Sequence, residues 1–211
     1  MYRIEKRKCD HKVLNSSFKE LLLTLGSIVN LSLQQQMELI KVFSSKKFYK
    51  GKCILTVGEI WDKLYFINQG IFRLYYLTED GREFNKGFFY KNNFMYPIAP
   101  VAKKYPSRFS IEALSNVDSL VCNYGLFQQI MEGFGLWNNF AKFHAEWFAG
   151  QKVEREADFL LCSAKERYLK FVKENSDIAN QIPDYHIASY LGITNVTLSR
   201  IKKTCCHFNI C

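Results

Sequence analysis

Residues Ile182 to Lys203 read IPDYHIASYLGITNVTLSRIKK, two short apolar periods separated by one glycine. Ile187, Ala188 and Leu191 recur at helical spacing, and Pro183 stands where a helix starts without losing a backbone hydrogen bond. Gly192 follows directly, where a left-handed residue ends a helix and turns the chain, and Thr194 offers a side-chain oxygen to cap a second helix. That second helix is expected from Thr194 to Lys203, with Ile193, Leu198 and Ile201 on its buried side and the small Ala188 permitting close crossing. Asn195, Val196, Thr197, Ser199 and Arg200 then face outward, and Lys202 and Lys203 extend the contact toward phosphate. An outward Arg and Asn among short side chains suit a major groove, where Arg pairs with guanine and Asn with adenine. The layout is that of a DNA-reading helix-turn-helix, although a surface helical hairpin in an unrelated α-domain shares the spacing.

The rest of the chain bounds that reading. Its 211 residues, 48% hydrophobic, are enough for one large domain or two modest ones with a real core. An excess of 29 basic over 20 acidic residues gives a formal charge of +9, which favours a polyanionic partner through long-range attraction and counterion release. No apolar run approaches the roughly 20 residues needed to cross a bilayer, so a soluble, cytoplasmic protein with no membrane partner is expected. The 7 cysteines are odd in number and scattered, unlike a secreted disulfide framework, and most should be reduced. Cys205, Cys206, His207 and Cys211 cluster, yet adjacent cysteines suit a zinc tetrahedron poorly, and no metal is expected there.

Moving outward from the terminal motif, the period changes twice. Residues 1–15 are a basic lead-in, and Phe18–Leu25 and Leu33–Phe43 carry apolar residues at helical spacing. From Lys46, and most clearly from Phe48 to Tyr124, the chain is dense in Phe, Tyr, Ile and Val in short runs broken by glycines. Ile71–Leu77 alternates, and Thr78-Glu79-Asp80-Gly81 supplies the turn that reverses it into Arg82–Phe88. Many short strands of this kind close into a sandwich or roll. Beyond Gly125, Leu136, Phe140, Phe143, Trp147, Gly150, Val153, Ala157, Leu160 and Ala164 follow at steps of three or four, describing one long helix with a continuous apolar stripe. The stripe needs a partner. The β-region could cover it, but pairing with the same helix of a second chain is the expected arrangement, with Leu136, Phe140, Phe143, Trp147, Val153, Ala157 and Leu160 in the dimer interface. Ser163-Ala164-Lys165-Glu166 reads as a capping box that starts a new helix bearing Tyr168, Leu169 and Val172, and Asn175–Gln181 is a polar connector. The domains are therefore expected at 1–135, 136–162 and 163–211: a β-roll with N-terminal helices, a dimerisation helix and a helix-turn-helix.

This order resembles the Crp/Fnr family of bacterial transcription regulators. The resemblance rests on the run Gly58-Glu59-Ile60-Trp61-Asp62-Lys63-Leu64-Tyr65-Phe66-Ile67-Asn68-Gln69-Gly70, on Arg73 and the Asp80-Gly81 turn, and on the frame Ile187, Ala188, Leu191, Gly192, Ile193, Leu198 and Ile201. It spans roughly residues 30–203, and the two motifs in order are far more specific than either alone. Ser107–Leu114 and Ile187–Ile193 look most like Bacteroidetes members. The resemblance implies an α+β protein: an N-terminal double-stranded β-helix, a jelly roll of the cyclic nucleotide-binding type, then a long dimerisation helix and a C-terminal helix-turn-helix. It also implies a homodimer on an inverted repeat of double-stranded DNA, with Asn195, Val196 and Arg200 approaching base edges and Thr194 and Thr197 near phosphates. RNA polymerase would be a partner if the protein is an activator.

The same resemblance places an effector pocket in the roll, with Phe94, Tyr96, Ser107 and Arg108 as the candidate lining. Family members that bind cyclic nucleotides hold the ribose with a Gly-Glu pair and the phosphate with an Arg followed by a small hydroxyl residue. Here Asn92-Asn93-Phe94-Met95-Tyr96 stands at the first position, and Ser107 rather than Arg108 falls at the second. Cyclic AMP is therefore not the expected effector, and another small molecule is left open. Cys9 alone lies where an iron–sulfur branch needs a cysteine cluster, and His11, His144, His186 and His207 all fall outside the roll. No cofactor and no catalytic residue is expected, because a cupin-like metal oxygenase needs histidines on roll strands. A ligand-binding module that has lost DNA binding is the alternative reading.

Overall fold

The computed structural model describes residues 16–207. The basic lead-in with Cys9 and the tail residues Phe208, Ile210 and Cys211 lie outside the described residues. Two helices, α1 (Ser16–Gly26) and α2 (Leu33–Ile40), precede the strands. A capping box starts the second: Ser32 Oγ accepts from Gln35 N–H and Gln35 returns the bond to Ser32 N–H.

Eight strands follow, β1 (Ser44–Phe48), β2 (Cys53–Leu55), β3 (Lys63–Gln69), β4 (Phe72–Leu77), β5 (Glu83–Phe89), β6 (Phe94–Met95), β7 (Ser110–Ala113) and β8 (Val117–Asn123). They form two four-stranded antiparallel sheets with orders β1-β8-β3-β6 and β2-β7-β4-β5, a jelly roll. The first strand begins two residues before the expected change of period at Lys46, because its exposed polar residues carry no alternating signal. Gly70 makes the tight return from β3 to β4 at φ +87°; a Cβ there would lie 2.3 Å from Asn116 O. Ile67, Phe72, Ile111 and Val121 fill the space between the sheets, while Phe66, Phe94 and Leu120 face the helices outside and cluster there with Phe127. A short helix, α3 (Pro100–Lys104), interrupts the roll between β6 and β7.

Helix α4 (Tyr124–Gly133) then packs on the roll, and the long helix α5 (Trp137–Leu161) follows as a separate element. The capping box at Ser163 and Glu166 is present and opens α6 (Ala164–Glu174). The expected polar connector is less polar than it reads: Ile178, Ala179 and Ile182 are buried around a 3₁₀ turn at Ala179–Gln181. Helices α7 (Asp184–Leu191) and α8 (Asn195–His207) complete the described chain. The last helix runs four residues past the expected stop at Lys203, because Cys205 is fully buried in the terminal core with Tyr168, Ile187 and Leu198. None of the helices among the described residues is long and apolar enough to cross a membrane.

Candidate functional site

The α7–α8 pair has the geometry of a helix-turn-helix. Gly192 ends α7 in the left-handed conformation (φ 65°, ψ 36°), and Ile193 N–H donates to Ala188 O at 3.0 Å across the turn. Thr194 caps α8, its Oγ1 accepting from Thr197 N–H at 3.1 Å. Leu198 is fully buried against Ile187, Ala188 and Leu191. Asn195, Val196, Ser199, Arg200 and Lys203 are exposed, whereas Thr197 is half-buried beside Thr194. Lys202 departs from expectation: its ammonium pairs with Asp184 on α7, which ties the two helices together rather than leaving the charge free for phosphate.

The other side of α7 is docked on the roll through a buried polar network that the sequence did not reveal. Arg73 of β4 is buried, with Nε 3.1 Å and Nη2 2.5 Å from Glu112 Oε2 and Nη1 2.5 Å from Glu83 Oε2. Although burial disfavours its charge, these bonds hold the guanidinium pKa above its ordinary value. Asn85 of β5 donates from Nδ2 to His186 O at 3.0 Å and also faces His186 Nδ1 at 3.1 Å. The carbonyl can only accept, which fixes the amide orientation and makes Nδ1 the acceptor nitrogen of a neutral imidazole. Arg73 Nη1, 3.5 Å from the same nitrogen, is a second donor. Burial first, then the Arg73 charge, push the His186 pKa down to about 4, with Glu83 opposing. Ser189 completes the link, accepting from Asn85 N–H at 3.0 Å and donating to Glu83 O at 3.0 Å.

The roll contains a cavity of about 610 Å³ between α3, strands β4 and β5 and the side of α5 that carries Phe148. Of the four expected effector residues, Tyr96, Ser107 and Arg108 line it and Phe94 does not: its ring packs 5.4 Å from Phe140 in the helical layer outside the sheets. Ser107 contributes no free hydroxyl, since its Oγ donates to Phe109 O at 2.6 Å and accepts from Phe109 N–H at 3.2 Å. Arg108 is exposed at the edge. The missed contributors are Trp61, Lys86 and Phe109. Among the described residues, no carboxylate lines this cavity.

Lys86 is placed there by a β-bulge. Leu74 pairs with Gly87 and Tyr75 with Asn85, so Lys86 is the extra residue of β5. Its ammonium lies 4.1 Å over the Phe109 ring. Arg155 of α5 binds the bulge carbonyls, Nη1 donating to Lys86 O at 2.7 Å and Nη2 to Asn85 O at 3.3 Å, and reaches Tyr190 O on α7 at 2.9 Å. Burial, with Lys152 and Arg155 nearby, pushes the Lys86 pKa down to about 8.

Phe140 and His144 of α5 pack in the helical layer against the outside of the roll, Phe140 fully buried, so Phe140 is not available to a second chain and leaves the expected interface set. His144 sits 4.5 Å from the Phe140 ring and 5.5 Å from Tyr96, and burial pushes its pKa down to about 4. Leu136 and Ala157 are half-buried. Phe143, Trp147, Val153 and Leu160 are exposed, the last at 76%.

Residues 45–134 match the family model described as the cyclic nucleotide-binding domain. No curated protein matches the chain by sequence. Among solved structures, the chain is similar to the c-di-GMP-responsive global regulator CLP of Xanthomonas campestris at 11% identity and a TM-score of 0.66, over 84% of this chain and 93% of that one. It is similar to a CooA mutant from Carboxydothermus hydrogenoformans at 15% identity and a TM-score of 0.65, over 86% and 87% of the two chains. A protein from Eubacterium rectale assigned to the Crp/Fnr family of transcriptional regulators aligns at 17% identity and a TM-score of 0.65, over 83% and 84%. Residues 45–134 are thus similar to the cyclic nucleotide-binding domain, and the overall fold is shared with a protein assigned to the Crp/Fnr family.

Proposed function

We propose that the protein is a DNA-binding transcription regulator that acts as a homodimer on an inverted-repeat operator and is gated by a small molecule held in the roll. The observation that carries this reading is the α7–Gly192–α8 unit, whose outer face offers Asn195, Val196, Ser199 and Arg200 to a groove while Leu198 anchors the helix beneath. Arg200 is the guanine reader and Asn195 the adenine reader; Thr194, Thr197 and Lys203 lie toward phosphates. Lys202 stays with Asp184 and orients the motif. The exposed Phe143, Trp147, Val153 and Leu160 support a seam between two α5 helices, which would set two recognition helices about 34 Å apart. In such a protein an effector acts only through unequal affinity for the DNA-competent and incompetent arrangements.

Selection of the full chain against a randomised duplex pool near physiological salt, without effector, tests the reading. Enrichment of a two-fold symmetric site is expected, with affinity that falls steeply as salt rises. An unenriched pool, together with no salt-dependent binding to any duplex, would remove the DNA-binding assignment.

A further inference from the structure

The wall of the cavity combines positive charge with unpartnered donors. The charged side chains that line it among the described residues, Lys86 and Arg108, are both cations. The bulge in β5 turns Lys86 toward the cavity, where the charges it feels are Lys152 and Arg155 rather than a carboxylate. Bulges characteristically re-aim a side chain next to a site. A half-buried ammonium without a counter-charge is costly to keep, and the cost is removed when an anion enters.

Two further wall residues call for acceptors. Trp61 and Tyr96 are both more than nine-tenths buried, and Trp61 Nε1 and Tyr96 Oη have no hydrogen-bond partner among the described residues. Buried donors of this kind are normally satisfied. The remaining wall is aromatic and aliphatic, with Phe89, Phe109, Phe148 and Tyr105 around it, and at about 610 Å³ it is within the size range of small-molecule sites.

We propose that the roll cavity binds a small aromatic organic anion, its carboxylate or sulfonate on Lys86, its ring system among the cavity aromatics, and its polar edge accepting from Trp61 Nε1 and Tyr96 Oη. This rests on the reading of the roll as the effector chamber and names the effector's class. A cyclic nucleotide fits the wall less well: Ser107, at the position expected to face a phosphate, has its hydroxyl engaged by Phe109, and no carboxylate among the described residues lines the cavity to hold a ribose.

The test uses two dyes of nearly equal shape, 8-anilinonaphthalene-1-sulfonate and the uncharged N-phenyl-1-naphthylamine, titrated by fluorescence into the full-length protein at pH 7. The sulfonate is expected to bind one saturable site per chain about tenfold more tightly than the neutral dye. Lys86→Met should abolish that preference while leaving the neutral dye within about twofold of its original affinity. It should also raise the melting temperature, since it removes a desolvated cation; that rise confirms the variant is folded. Ala102→Phe, which fills the cavity wall, should weaken both dyes. If Lys86→Met keeps the preference while Ala102→Phe weakens both, the chamber stands and the anion assignment falls. If Ala102→Phe changes neither, the dyes sit elsewhere and the effector-chamber reading itself falls. Equal affinity of the two dyes for the parent protein, or no saturable sulfonate binding, overturns the proposal outright.

Discussion

Acidification should undock the helix-turn-helix before it unfolds the roll, and the size of the effect follows from His186. In the folded protein its Nδ1 accepts from Asn85 and faces Arg73, so a proton placed there would set three donors against one another. The folded pKa is about 4 and the unfolded value 6.5. A base whose folded pKa is depressed contributes stability that is fully present above the unfolded pKa and is lost as pH falls through the folded one. The window is therefore pH 6.5 down to 4. At pH 5 the unfolded imidazole is almost wholly protonated and the folded one barely, which removes about 2 kcal/mol. His144, also near 4 and also buried, removes a similar amount, about 2 kcal/mol, from the roll side. Urea unfolding at pH 7.5 and pH 5 should show the combined loss. His186→Asn, whose Oδ1 can accept where Nδ1 did, should cut it by about half, and His144→Phe by the other half. Hydrogen exchange at pH 5 should show α7 opening first. If His186→Asn loses as much stability on acidification as the parent, the network does not hold the imidazole neutral and the docking argument is wrong.

Other expectations are more local. Gly70→Ala forces a Cβ against Asn116 O and Val117 at positive φ, and thermal or urea unfolding should show a loss of about 2 to 4 kcal/mol. Trp147→Glu combined with Leu160→Glu should convert a dimer to a monomer in sedimentation velocity without lowering the roll's stability, because both side chains are exposed in the single chain; a dimer that persists would place the seam elsewhere. Arg200→Ala should cost about 1 to 3 kcal/mol in operator affinity and relax preference at one base pair per half-site, read from the selected sequence logo. An unchanged logo would reassign the guanine contact.

The order of elements was legible in the sequence because each part announces itself locally. The turn at Gly192, the cap at Thr194 and the box at Ser163 and Glu166 are short-range chemistry, and they stand where the spacing put them. The strand around Phe72 was legible from its sequence alternation, but its burial does not alternate: Arg73 is buried between Phe72 and Leu74, and Tyr76 and Leu77 are exposed. Phe140 was misread because it and Trp147, seven residues apart, share one face of α5, yet Phe140 is fully buried and Trp147 is exposed; apolar spacing does not reveal where along a helix a covering neighbour ends. Lys86 was missed for a different reason. Strand alternation alone does not reveal a bulge, which exists only in the register between β4 and β5. The Arg73–Asn85–His186 network joins residues more than a hundred positions apart, and nothing local marks it.

Strand β5 is where the proposed chamber and the proposed DNA-reading unit meet, and the bulge explains why one strand can serve both. Asn85 turns away from the cavity and holds His186 and Ser189 of α7, while its neighbour Lys86 turns toward it. The carbonyls of these same two residues are both taken by Arg155, whose third bond is to Tyr190 O at the end of α7. A charge bound at Lys86 therefore acts on a residue whose own backbone is one bond from the long helix and two from the helix-turn-helix. Coupling of this kind needs no movement of the roll as a whole. It needs only that the bulge conformation preferred with an anion on Lys86 differ in its fit to Arg155 from the one preferred without, and the ligand's leverage on DNA binding is bounded by that difference.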